Sequence, residues 1–466
     1  MLAAMSATAD SPGSPAAVAA ARNGGDACPG TLRLHTADDG ALARVRIPGG
    51  VLTAARARTL LDAADRLGDG ELHLTSRGNV QLRGLDVGCG GELAGLLRGV
   101  GMLPSDRHER ARNVVASPLS GLDTVGHADI RPWLDELDTL ICSDERATAL
   151  SGRFLFALDD GRGDVDALGA DLTLIALDGE RALLRVGPGD TGTLLPVAFA
   201  NAPRAALLAA EAFLDLAAGP GVWRISGLPE DARAALPAEA ARRAGLVPPP
   251  GPAPRPLLGP PPGPPETAHR PIGTPNGTPV PGAVTGPEGR TALHVGVPMG
   301  RLTGVRWRAL VETAERLGSG ELRCTPWRGV VVPGLAAGPA RRALDTLAEA
   351  GLVTGPGSPW AGVGACIGRP GCAKSLADVR AEAEAALVAP GIGPAALGPA
   401  GRLPVYWSGC ERRCGHPHGE WIDVVATPAG HRITQVRGES RGAPTAVPDD
   451  PAALAAAVAA ARSPRT

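Results

Sequence analysis

An apolar run, "ALARVRIPGG" (Ala41–Gly50), predicts a strand. Thr53 follows, a residue type that caps helices, and beyond it apolar residues recur at spacings of three and four. A glycine turn then leads to "ELHLTSRGNVQLRGL", read as a second strand. The same order returns later. "ALHVGVPMG" runs into Thr303, a periodic helix and "ELRCTPWRGVVVPGL". Residues 50–74 align without gaps to residues 300–324, with 13 of 25 positions identical. One such βαβ-type unit is too small to bury a good core, so the two copies are expected to pack together.

Between the copies lies Pro248–Pro281, with 15 prolines in 34 residues. Proline has no backbone donor and fixes φ, so this stretch reads as an extended or disordered linker. The expected organisation is a tail over 1–29, a ferredoxin-like half-domain over 30–104 and a larger α+β domain over 105–247. The linker covers 248–287, a second half-domain 288–352 and a second α+β domain 353–466. The fold class expected is α+β, duplicated.

Composition narrows the function classes. A net charge of −2 gives no basic surface for nucleic acid. No run of 18 uncharged apolar residues suggests a membrane span. The first residues have no basic start and no sustained apolar stretch, so a cytoplasmic protein is expected. Of the 46 basic residues only Lys374 is lysine. An arginine is therefore weak evidence that a guanidinium was selected over an ammonium.

Of the eight cysteines, four fall in two short motifs, "ACIGRPGCAKS" and "WSGCERRCGHPHGE". Cys366 and Cys372 are separated by five residues, 37 more lead to Cys410, and three separate it from Cys414. Clustered cysteines of a reducing compartment point to metal. Four thiolates on glycine-rich loops suit a [4Fe–4S] cluster. A zinc site, with tighter knuckles, and simple burial are the alternatives. Cys28, Cys89, Cys142 and Cys324 are scattered and read as small buried residues.

These motifs resemble those of the siroheme-type nitrite and sulfite reductases, in the same order: "RVRIPGGVLT", "LTSRGNVQLRGL", "RNVVASP", then the two cysteine motifs. The resemblance implies a nitrite/sulfite reductase-like architecture, with a tetrapyrrole between the halves and a [4Fe–4S] cluster on Cys366, Cys372, Cys410 and Cys414. It implies that Arg77 and Arg112 bind tetrapyrrole carboxylates, with Arg46, Gln81, Arg83 and Asn113 nearby. A polycarboxylate needs several guanidinium groups in one site, which makes the assignment chemically coherent.

One run departs from the reductases, which carry two active-site lysines in Lys-Phe-Lys. Here "SGRFLFALDD" puts Arg153 at the first and Leu155 at the second. Leucine removes charge and proton donation. With "DACPG" around Cys28 and "CGHPHGE" after the last cysteine, the sequence is similar to the precorrin-3B synthase branch. That likeness implies a monooxygenase of aerobic cobalamin biosynthesis, with precorrin-3A and O2 as substrates and an external electron donor. Hydroxylation of the macrocycle would be followed by lactone closure. The alternative is a siroheme-dependent nitrite or sulfite reductase. Activating O2 calls for a metal or flavin. His416 and His418, with Glu420, could share a face of an extended segment and hold a mononuclear non-heme iron. Arg153, His416 and His418 are thus the candidate catalytic residues.

Overall fold

The computed structural model describes residues 26, 28–217, 219, 221–246, 279–388, 403–417, 419–438 and 440–462. Most of the expected linker and tail lies outside them. The chain divides into two compact units. One comprises 1–28, 103–116 and 127–258; the other comprises 29–102, 117–126 and 259–466.

Both repeat copies belong to the larger unit. Thr53 accepts a hydrogen bond from the Arg56 N–H at the start of helix Ala54–Leu67. Thr303 does the same from Arg306 for helix Gly304–Arg316. A capped turn of this kind satisfies a donor that the helix itself leaves orphaned. The first copy forms a sheet ordered His35–Ala37, Gly40–Val45, Val80–Leu85, Leu72–Leu74 and then Arg301–Leu302 from the second copy. The second copy forms Gly282–Thr285, Arg290–Gly296, Gly329–Ala336, Glu321–Cys324 and then Val51–Thr53 from the first.

Each sheet is thus finished by a short strand of the other copy, in matching register. Arg301 faces His73, and Val51 faces Arg323. Gly50, at φ +73°, makes the crossing possible: a Cβ there would sit 1.9 Å from the Cys324 carbonyl oxygen. The copies also meet through their helices. The Trp307 indole, fully buried, donates to the Ala57 carbonyl at 2.7 Å.

The rest of the larger unit is a sheet in which Val363–Ala365, Val405–Ser408 and Glu420–Thr427 run parallel and Gly430–Arg437 returns antiparallel. Helices Val379–Val388 and Pro451–Arg462 supply Val379, Leu454 and Val458 to a core with Val405, Trp407 and Ile422. Burying each large apolar side chain of this kind contributes roughly 1.5–3 kcal/mol.

The smaller unit repeats the pattern. Val114–Ala116, Phe156–Asp159 and Leu172–Ala176 are parallel, and Arg181–Val186 and Thr193–Ala198 return antiparallel. Phe154 packs on Phe156 and Phe213 beneath helix Ala202–Leu216. The duplication therefore reaches past the 25-residue stretch where sequence identity reveals it. The α+β class and the paired ferredoxin-like halves are as expected.

Candidate functional site

Two adjacent parallel strands, Val363–Ala365 and Val405–Ser408, end side by side, and each runs directly into a cysteine loop. Carboxyl ends of parallel strands are a common place for ligands in mixed folds. The Cys366 N–H continues the ladder to the Trp407 carbonyl at 2.9 Å. Its sulfur accepts the Gly409 N–H at 3.2 Å. The Leu376 N–H bonds the Gly409 carbonyl at 2.8 Å, tying the loop after Cys372 to the loop before Cys410. A Cβ on Gly409 would lie 1.7 Å from the Ser375 hydroxyl oxygen, so only glycine fits.

Beyond Cys410 the chain turns tightly. Arg413, at φ +46°, donates its N–H to the Cys410 carbonyl and its guanidinium to buried Asp423 at 2.6 Å. The Tyr406 hydroxyl donates to the Cys414 carbonyl at 2.6 Å, and Arg328 donates to the Gly415 carbonyl at 2.7 Å. Burial pushes the Tyr406 phenol up to about 12, so it stays a neutral donor. Tyr406 is the only tyrosine of the chain. That rarity, four residues before Cys410, was a signal the motif reading passed over.

The donor set fits an iron–sulfur cluster. Burial pushes the Cys366 and Cys414 thiols up, and the neighbouring cysteines add to the shift in both cases. A single tetrahedral zinc would draw its sulfurs to about 3.8 Å apart, from Zn–S bonds of about 2.3 Å. Among the described residues, the acidic and histidine groups Asp69–Glu71–His73 and Asp159–Asp160–Asp164 have ligand atoms within 4.8 Å of one another, and the cysteines form no such group. Four thiolates on two neighbouring loops are the ligand set that a cube of iron and sulfide takes.

The candidate basic residues sort by unit. In the larger one, the Asn79 side chain accepts the Ile47 N–H at 2.9 Å, which joins the Arg46 motif to the Arg77 turn. Arg46 is buried, and Arg77 is half-buried at the tip of the Thr75–Asn79 turn. Gln81 and Arg83 share a face of strand Val80–Leu85. The Arg83 guanidinium donates to Asp39 through two nitrogens, at 2.8 and 2.7 Å, and to the Gly371 carbonyl at 2.6 Å.

In the smaller unit, Arg112 is held by two 2.7 Å bonds to Asp138. Burial alone would lower its pKa, and Asp138 turns the net shift upward. Asn113 is fully buried. Its side-chain amide donates to the Phe154 carbonyl and its own carbonyl accepts the Phe156 N–H, which joins the "RNV" strand to the "SGRFLF" run. Arg153 is half exposed, 3.8 Å from buried Asp26, which also receives the Ser151 hydroxyl and the Gly152 N–H. Leu155 is 4% exposed, and its N–H donates to Asp171 at 2.9 Å. Asp26, Asp39 and Asp138 were not foreseen; nothing local in sequence marks them.

His416 is exposed and stacks on Trp421 at 5.2 Å, with its Nδ1 donating to the Pro417 carbonyl. Glu420 is exposed and faces Arg437 at 3.9 Å. His418 lies outside the described residues.

The comparisons agree with this architecture. The nitrite/sulfite reductase ferredoxin-like half domain matches twice, at residues 35–88 and 285–350. A precorrin-3B synthase from Sinorhizobium sp is 26% identical over 437 residues, spanning 93% of this chain and 87% of that protein. A ferredoxin–nitrite reductase from Synechococcus elongatus is 32% identical over 127 residues, covering 26% of this chain and 25% of its own. A sulfite reductase [NADPH] hemoprotein beta-component from Xylella fastidiosa is 29% identical over 176 residues, or 34% of this chain and 30% of its own. The NirA protein of Mycobacterium tuberculosis shares the fold, with a TM-score of 0.64 at 20% identity over 87% of this chain and 77% of its own. Over nearly its whole length the chain is a homologue of a precorrin-3B synthase, built on two nitrite/sulfite reductase ferredoxin-like half domains.

Proposed function

We propose that the protein is a precorrin-3B synthase, an O2-dependent oxidoreductase that hydroxylates precorrin-3A and closes a lactone on it. Arg77 and Arg112, with Arg46 and Gln81, would serve the substrate carboxylates, and Arg153 would stand where a reductase carries its first lysine; Asn113, its amide held by the Phe154 carbonyl, would position the Arg112 strand instead. Cys366, Cys372, Cys410 and Cys414 would hold a [4Fe–4S] cluster, which supplies single electrons when bound. His416, with His418, is the candidate holder of a further iron.

The observation that carries the reading is the place of Leu155. Its side chain is packed away and its N–H is anchored on Asp171, itself bonded to Arg224 at 2.9 Å. A proton donor is absent where a multi-electron reductase would use one. Arg153 does not replace it, because a guanidinium does not give up its proton near neutral pH. What remains at this run is a fixed cation, suited to holding a carboxylate.

A siroheme-dependent nitrite or sulfite reductase is the second reading, favoured by the segment-level likeness to such enzymes. Anaerobic purification followed by iron, sulfide and siroheme assays separates the two. The first reading expects a cluster without siroheme, and turnover of precorrin-3A with isotopically labelled O2 that leaves label in the product. Bound siroheme with sulfite or nitrite reduction, and no labelled product, would decide for the second.

A further inference from the structure

Arg83 sits in the same motif as Arg77, and that motif places it among the candidate substrate-binding residues. Their surroundings differ. The Arg83 side chain is only 4% exposed, and three of its bonds are accounted for. Two go to Asp39, in the turn before strand Gly40–Val45. The third, the shortest, goes to the carbonyl of Gly371, the residue before Cys372.

The fit around Gly371 is close. A Cβ there would meet the Asp39 carboxylate at 2.6 Å, the Arg83 guanidinium at 3.0 Å and the Ile367 side chain at 3.1 Å. The ion pair thus lies directly against the backbone of the Cys366–Cys372 loop. A bidentate guanidinium–carboxylate pair has fixed geometry and makes a rigid platform. A buried pair of this kind is weak evidence for stability, because desolvation offsets the attraction. The Arg83 Nε and Nη2 are thereby committed to Asp39 and to the cysteine loop itself.

We propose that the Arg83–Asp39 pair is a latch from the first half-domain that sets the position of the Cys372 loop, making Arg83 a positioning residue for the cluster. The proposal rests on the cluster assignment above.

The test compares Arg83→Ala, Asp39→Asn and wild type, all purified anaerobically with cluster. Three readouts are taken: iron release to a ferrous chelator, the EPR signal of the reduced cluster, and affinity for uroporphyrin, a stable octacarboxylate tetrapyrrole. Losing a charge-assisted bond should speed iron release roughly tenfold in Arg83→Ala. The EPR line shape should change and uroporphyrin affinity should stay at the wild-type value. Weaker uroporphyrin binding with wild-type iron release would overturn the proposal and return Arg83 to the substrate. If Arg83→Ala misfolds or alters every readout, Asp39→Asn decides, since it keeps the guanidinium and weakens only the latch. Faster release with unchanged affinity supports the latch, and wild-type release overturns it. A wild-type protein that takes up no cluster would overturn the cofactor reading and this proposal together. A loaded wild type with unaltered variants overturns this proposal alone.

Discussion

Arg77 and His294 show how environment divides residues that look alike in a sequence. Arg77 sits at the tip of a turn whose own hydrogen bonds are backbone and hydroxyl bonds, Thr75 to Asn79 and Arg77 N–H to Thr75. Its truncation removes a charge and leaves those turn bonds in place. Arg77→Ala should weaken uroporphyrin binding by roughly 2–4 kcal/mol and leave cluster iron unchanged; titration of tryptophan fluorescence reads the first, a colorimetric iron assay the second. His294 is the opposite case. It is fully buried on strand Arg290–Gly296, and burial pushes its imidazole down to about 4. The folded state holds it neutral, while the unfolded chain binds a proton near pH 6.5. Stability contributed by the neutral form is present above pH 6.5 and is lost as pH falls toward 4. Between pH 7 and pH 5 the loss is about 2 kcal/mol. Urea denaturation at the two pH values should show this difference in wild type and a smaller one in His294→Leu.

The cysteine loops depend on each other's backbone, and one pair of residues tests this directly. Gly409→Ala would drive its Cβ into Ser375, forcing apart the loops that carry Cys372 and Cys410. Cluster iron per chain should fall sharply. Ser375→Gly, which removes both the hydroxyl and its carbon, should restore part of it in the double variant. No rescue would mean that the damage spreads elsewhere. At this scale the sequence was informative where the pattern is local. Both capped helices, the strands around them and the two cysteine motifs were readable from spacing and cap residues. It was silent where the chain closes on itself from a distance. Arg83 meets residues 44 and 288 positions away, and no spacing announces that. Arg301–Leu302 is two residues long, too short to carry a strand pattern. Asn113 read as a site residue from its motif, yet its amide is spent on Phe154, a contact that only the fold supplies.

In the molecule as a whole, the repeats are locked through Trp307 and Ala57, which occupy equivalent positions 250 residues apart. Trp307→Ala would empty a large buried volume and orphan the Ala57 carbonyl. A loss of about 3–5 kcal/mol is expected. It should appear as a downward shift of the larger unit's unfolding transition, with both sheets moving together because they share strands.

Those shared strands also speak to descent. A chain bearing one copy of the repeat would make a sheet with an open edge and carry a short strand with nothing to pair with. Two such chains could satisfy both needs at once by trading strands, each completing the other about a two-fold axis. Joining the genes would turn that dimer into one chain and free the halves to diverge, one keeping the cysteines and the other losing any need for them. The asymmetry of the present protein, with its four-cysteine motif in only one half, is what such a fusion permits and what a symmetric dimer could never reach.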